Sequence, residues 1–284
     1  MARQLSLSIL AGVDSHDYLA EKYGPVIENI QTNTIYARFK NQDLSGDPTS
    51  GTVEAKRFTN SKMQPYGTAR AAGKGVAVKV KPVTVAVDQH DEIVEEFESA
   101  DVKMYGVDGF TDRKVANHAM VLDTTLERTF FNEAATGGTE KNYTYTKKIS
   151  EAVMAAVNEM EELENDFVDG VPVEVMGIVV RPSIYEQIHD EIDTLMNANI
   201  NSAVKEFNAF HGVEIYKTHR LPEGVDYILM VKGSIAQPTL VDIQPIEKIQ
   251  FSKAYGFGLY ADYGTKTVAP DLVFYGTLTE ADPI

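Results

Sequence analysis

The chain has no cysteine among its 284 residues. That excludes disulfides, thiolate metal sites, iron–sulfur clusters and cysteine nucleophiles together, and a reducing compartment such as a bacterial cytoplasm fits. Long apolar runs are also missing. The longest, such as Met176–Val180 and Tyr227–Val231, fall far short of the ~18 residues needed to span a bilayer. Positive charge is scarce: 26 Lys and Arg stand against 42 Asp and Glu, a formal net charge of −16. Such a balance argues against a general basic surface gripping duplex DNA. No small-residue cleavage pattern precedes Asp14 and His16, so the start does not read as a signal peptide.

Signatures of chemistry are equally sparse. None of the six histidines pairs at the i, i+4 spacing of a zinc-binding helix. His118 reads as a packed or interfacial residue, and His189 sits among Glu186, Asp190 and Glu191 on a solvated polar face. Gly73-Lys74-Gly75 and Gly256-Phe257-Gly258 lack the third glycine and following helix of a dinucleotide site. There is no Walker pattern and no Gly-x-Ser-x-Gly elbow. The acidic clusters lack the alternation and central glycine of a calcium loop. The sequon Asn142-Tyr143-Thr144 carries no weight without a secretory signal. No catalytic, cofactor-binding or metal-ligating residue is therefore assigned, no cofactor is expected, and a structural or binding role is favoured over an enzyme.

What the chain does have is an ordinary globular composition, 43 % hydrophobic, long enough for one or two packed domains. Asp17–Tyr23 is expected to form a helical turn and Thr34–Phe39 a strand, ahead of a dense turn cluster at 43–51. The charge distribution is uneven. Lys56, Arg57, Lys62, Arg70, Lys74, Lys79 and Lys81 fall in a window with no acid, and seven acids from Asp88 to Asp101 follow with no base. With the seven basic residues set aside, 19 remain against the same 42 acids. Thr52–Phe58 reads as one strand of this basic segment and Val76–Val87 as another. The valine alternation of the second slips at Pro82, as at a bulge or a sheet edge. Together they make a long hairpin with a Gly-rich tip, marginal alone and so expected to dock elsewhere.

Helical periodicity appears over 111–135, with Val115, Ala119, Leu122, Leu126 and Phe130 on one stripe and Gly137-Gly138 closing it. A second helix spans 148–167, with Ile149, Val153, Ala156, Met160 and Leu163 inward and acids outward. A strand at 171–180 leads through Pro182 into a third helix carrying Ile184, Ile188, Ile192 and Leu195. Short strands are expected at 213–216, 227–231, 256–263 and 268–275. This order gives an α+β class rather than βαβ repeats.

The assembled pattern resembles the major capsid proteins of tailed bacteriophages, the Hong Kong 97-like capsid fold, over residues 45–278. Val171-Pro-Val-Glu-Val-Met-Gly-Ile-Val-Val-Arg-Pro-Ser-Ile-Tyr185 looks like that family's strand entering a Pro-x-x-Tyr helix. Phe210–Pro222 is similar to its Gly-x-x-Val … Leu-Pro strand and turn. Lys232–Ala236 with Gln244–Ile249 is similar to its late strand, and Tyr255–Asp271 to its closing Tyr-Gly-x-x-Val-x-x-Pro stretch.

The resemblance implies an N-terminal arm (1–43), an extended loop hairpin (44–88) and a peripheral domain with a spine helix (89–147). It further implies an axial domain (148–238) and strands returning to the peripheral domain (239–284). It implies hexamers and pentamers closing an icosahedral shell around double-stranded DNA contacted nonspecifically, a virion assembled in the bacterial host cytoplasm. Portal and decoration proteins are implied partners. Relatives that carry an N-terminal scaffolding segment lead to the expectation of a separate scaffolding protein here. Within this picture Lys56, Arg57, Lys62, Arg70 and Lys74 are expected to contact an acidic surface of the adjacent subunit, either 88–101 or 151–169. An encapsulin-type nanocompartment shares the fold and is the alternative within the shell class. A tail or adaptor protein forming rings, and an unrecognised soluble α+β enzyme, are the alternatives outside it.

Overall fold

The computed structural model describes residues 34–61, 63–73, 75, 77–98, 107–194, 209–210, 212–252 and 254–281. The amino-terminal helical turn expected at 17–23 lies outside them. No described helix is long and apolar enough to cross a membrane.

The chain enters through α1 (Ile35–Phe39), where a strand is expected from the sequence. Helical spacing wins because Tyr36 and Phe39, three apart, both turn inward. Tyr36 meets Phe130 with ring centroids 5.8 Å apart, and Phe39 lies against Gly177, where any Cβ would collide with its ring. After β1 (Leu44–Ser45) comes the hairpin of β2 (Thr52–Phe58) and β3 (Val80–Ala86), in a three-stranded sheet ordered β1-β2-β3. The ladder from Thr52↔Ala86 to Phe58↔Val80 is unbroken, with Pro82 opposite Lys56. There is no bulge; Pro82 sits on an edge strand, where its missing N–H costs no ladder bond.

The long α3 (Val107–Gly137) follows the short α2 (Thr68–Ala72) and β4 (Gln89–Phe97). Its expected stripe is inward: Val115, Leu122, Leu126 and Phe130 are buried, with Ala119 packed beside them. The strands β5 (Thr139–Glu140) and β6 (Tyr143–Tyr145) lead into α4 (Ile149–Glu161), which ends six residues before the expected boundary. A turn takes over there: the Asn165 side chain accepts from the N–H groups of Phe167 and Val168, and Gly170 adopts φ 75°. Then come β7 (Met176–Val180) and α5 (Pro182–Thr194).

The later strands are β8 (Ala209–Phe210), β9 (Val213–Lys217), β10 (Tyr227–Val231), β11 (Ile235–Ala236), β12 (Thr239–Lys248) and β13 (Tyr255–Tyr263). The chain closes with β14 (Lys266–Thr267), β15 (Val273–Gly276) and β16 (Leu278–Glu280).

A six-stranded sheet, ordered β5-β15-β10-β7-β9-β8, is the centre of the molecule. Val179, Ile228, Met230 and Val273 face the core built on α3; Ile178, Val180, Leu229 and Phe274 face α4 and α5. Coverage on both faces is why β7 and β10 are continuous apolar runs rather than alternating ones. Each such aliphatic side chain contributes about 1.5–3 kcal/mol by leaving water. A second sheet, β12-β13-β4, packs its inner face on α3 through Ile93, Phe97, Phe257, Leu259 and Ala261. The segment 239–284 divides between these sheets: β12 and β13 join β4, whereas β15 sits between β10 and β5. The class is α+β, as the sequence implies.

Candidate assembly surfaces

The base of the hairpin is fixed by its own chain. Ala55 and Val85 are buried against Ala236 and Val268, and Val53 is buried as well. Gly264 leaves room for the Ala86 carbonyl, which any Cβ there would strike. Arg57, expected to reach a neighbour, is instead held inside the chain. It donates from Nη1 and Nη2 to Asp271 Oδ1 and Oδ2 at 2.5 and 2.6 Å, and its guanidinium lies 4.2 Å from the Phe167 ring centre. Asn165 donates to Asp271 Oδ2 at 2.7 Å, and the Asn60 N–H donates to the Asp166 carbonyl at 2.9 Å. Burial opposes ionisation of Asp271, but the hydrogen bonds from Arg57 and Asn165 outweigh it and hold the carboxyl below its ordinary range. A two-pronged Arg–carboxylate pair of this kind fixes orientation as well as charge.

Beyond this latch the hairpin has no cover among the described residues. Phe58 is 59 % exposed and pairs across the ladder with the exposed Val80, while Val78, Met63 (103 %) and Tyr66 (96 %) stand in solvent. Lys56, Lys79 and Lys81 are exposed among them. Arg70 lies in α2; Lys62 and Lys74 lie outside the described residues. Basic spacing marks this arm but conceals its apolar component. The signal for it was Phe58, Met63, Tyr66 and Val78 sharing that arm.

The acidic complement is sorted by strand geometry. Along β4, Asp91 accepts from the Tyr263 hydroxyl at 2.6 Å, and Glu95 turns toward α3, taking the Lys114 ammonium at 2.8 Å with His118 Nε2 at 3.3 Å. Burial resists the Glu95 charge, yet Lys114 and His118 keep its carboxyl low. His118 is fully buried, stacks on Phe257, and is pushed down mainly by burial. It is a packing residue, as the sequence suggests. The alternate residues Glu92 and Glu96 face outward, beside Val94 and the bare backbone of Gly258. On α4, Glu151 and Glu161 are exposed, as is Glu162 just past its end, whereas Glu159 is engaged by Lys141 and Tyr143.

Chemistry is not concentrated elsewhere. Among the described residues no group of three or more His, Asp or Glu could hold a metal ion. Arg220 engages Asp123 and Glu127 between α3 and the turn after β9; burial pushes both carboxyls up, and Arg220 only partly offsets it. Clefts open between the described elements. One of about 270 Å³ lies between α3 and the β4–β13 face, and one of about 470 Å³ lies beside α1 at the foot of the hairpin.

No protein-family model and no curated protein sequence matches this chain. Its shape is shared widely. A solved structure of Mycobacterium phage Che8 superposes with a TM-score of 0.63 at 17 % identity, covering 86 % of this chain and 90 % of that one. The capsid structure of the cyanophage P-SCSP1u gives 0.61 at 14 % identity, covering 88 % and 89 %. The chain has the fold of a tailed-phage major capsid protein. The same capsid fold is found in a virus-like particle from Pyrococcus furiosus, with a TM-score of 0.59 at 12 % identity, covering 91 % of this chain and 99 % of that one.

Proposed function

We propose that this protein is the major capsid protein of a tailed phage, assembling into hexamers and pentamers of an icosahedral shell around double-stranded DNA. The observation that carries the reading is the hairpin: its base is locked to its own subunit, while its outer half presents apolar and basic side chains that nothing covers among the described residues. A repeated shell supplies the missing surface from an adjacent copy. Exposed ion pairs contribute only about 0–1 kcal/mol each, so apolar burial between copies carries the contact and charge sets its register.

In this reading the hairpin reaches across to the neighbour's acidic surface, the outward face of β4 or the α4 side. The peripheral part comprises 89–147 with β12 and β13, and the axial part is built on 148–238. A separate scaffolding protein directs closure in the host cytoplasm, with portal and decoration proteins completing the virion. The outward carboxylates keep packaged DNA from adhering, so DNA contacts are few and nonspecific.

The archaeal virus-like particle supports a second reading, a nanocompartment with protein cargo. Electron microscopy of particles purified from producing cells, with assay of their contents, separates the two. Closed shells containing nuclease-protected DNA support the capsid; shells filled with protein support the compartment. Small rings or dispersed subunits overturn both.

A further inference from the structure

The foot of the hairpin holds a cation with no counter-charge among the described residues. Lys40 caps α1, its backbone N–H donating to the Tyr36 carbonyl at 3.0 Å while the residue bridges to Ile235. Its side chain is half-buried and lines the cleft of about 470 Å³, whose walls mix apolar Leu44, Pro48, Val53 and Pro238 with polar but uncharged Asn41, Gln42 and Thr239. No carboxylate pairs with it among the described residues. Asp43 and Asp47, its nearest acids in sequence, point elsewhere: both are exposed, and Asp47 accepts from the Thr49 N–H. Burial alone lowers the ammonium's pKa. A desolvated ammonium with no partner opposes folding of the isolated subunit, so something else must account for its place.

We propose that this cleft receives a carboxylate side chain from a second copy of the chain, with Lys40 as its counter-ion. The inference rests on the shell reading above. Charge complementarity favours this occupant: the chain carries 42 acids, and Glu92, Glu96 and Asp242, all on the outward face of the β12-β13-β4 sheet, have no partner among the described residues. Leu44, Pro48, Val53 and Pro238 suit the methylene stem of an acidic residue, and the half-buried ammonium suits its head. The site also lies where the hairpin leaves the body, so filling it couples hairpin position to the arrival of a neighbour.

Lys40→Met keeps the stem and removes the charge, so the two consequences have opposite sign. The isolated subunit gains stability, its melting temperature rising about 2–4 °C, while the protein concentration needed for assembly rises more than about tenfold. A variant that assembles like the wild type, or melts lower, overturns the proposal. Zero-length carbodiimide coupling of particles made from mixed light and heavy isotope-labelled subunits gives the second test. The expected product is an amide between Lys40 of one copy and an Asp or Glu of another. A Lys40 link confined to one copy, or none, overturns the proposal. Wild-type protein that forms no particles overturns the shell reading itself, whereas particles indifferent to Lys40→Met overturn this inference alone.

Discussion

The six-stranded sheet and the outer half of the β2–β3 hairpin carry similar apolar side chains and bury them to opposite extents. On β10, Tyr227, Ile228, Leu229 and Met230 are all wholly buried. On the hairpin, Phe58, Val78, Val80, Met63 and Tyr66 are exposed. The residue types do not explain the difference; the layers do. The sheet has α3 on one face and α4 with α5 on the other. The hairpin is tied to its own subunit at Arg57 and Asn60, and among the described residues nothing covers its apolar side chains from Phe58 outward. Substitutions should therefore separate into those that destroy the subunit and those that destroy only its association.

The largest effect on the subunit is expected from Ile228→Ala, which opens a cavity in the sheet's centre. It should cost about 2–5 kcal/mol in urea unfolding and remove assembly as a consequence. Next is Arg57→Ala, which strips the latch and leaves Asp271 half-buried without its cation. A loss of about 1.5–3 kcal/mol in thermal or urea unfolding is expected. Arg57→Lys should recover only part of it, because a point charge cannot reproduce the two-pronged pair. For the same reason, reversing Arg57 together with Lys56 and Arg70 would confuse latch with docking, and charge-reversal variants should spare it.

The pH response of the latch is smaller, and its sign is fixed. The Asp271 pKa is depressed in the folded state, so its contribution is fully present above the unfolded value near 4 and is lost as pH falls through the folded value. Asp271→Asn should remove that part of the acid sensitivity, measured as melting temperature against pH. Asp123 and Glu127 act in the opposite direction: their raised values make stability fall as pH rises from the unfolded value through the folded one. Smallest of all for the subunit is Met63→Ser/Tyr66→Ser, within about 0.5 kcal/mol by urea unfolding because neither side chain is covered. Its effect on particle yield should nevertheless match that of Ile228→Ala.

Much of the covered architecture is legible in the sequence, because burial leaves periodicity. The bounds of β2 and β10 match their apolar patterns, and the α3 stripe falls where its three- and four-residue steps place it. Less legible are elements whose pattern is hidden by charge or shortness. β4 reads as an acidic run, although Ile93, Glu95 and Phe97 alternate inward and its charges divide into internal and outward sets. α1 is five residues long, too short to distinguish its period from a strand's without Gly177 beneath Phe39. The basic arm is visible as composition. That Arg57 belongs to its base depends on Asp271, 214 residues away, and no local pattern announces a partner so distant. The Lys40 cleft is likewise a product of packing between distant segments, α1 and Pro238 among them.

The most direct measurement is a pair of electron micrographs, of wild-type protein and of Met63→Ser/Tyr66→Ser, each purified from producing cells at matched concentration. The account predicts closed shells from the wild type and folded, unassembled subunits from the variant. Shells from both, or from neither, would contradict it.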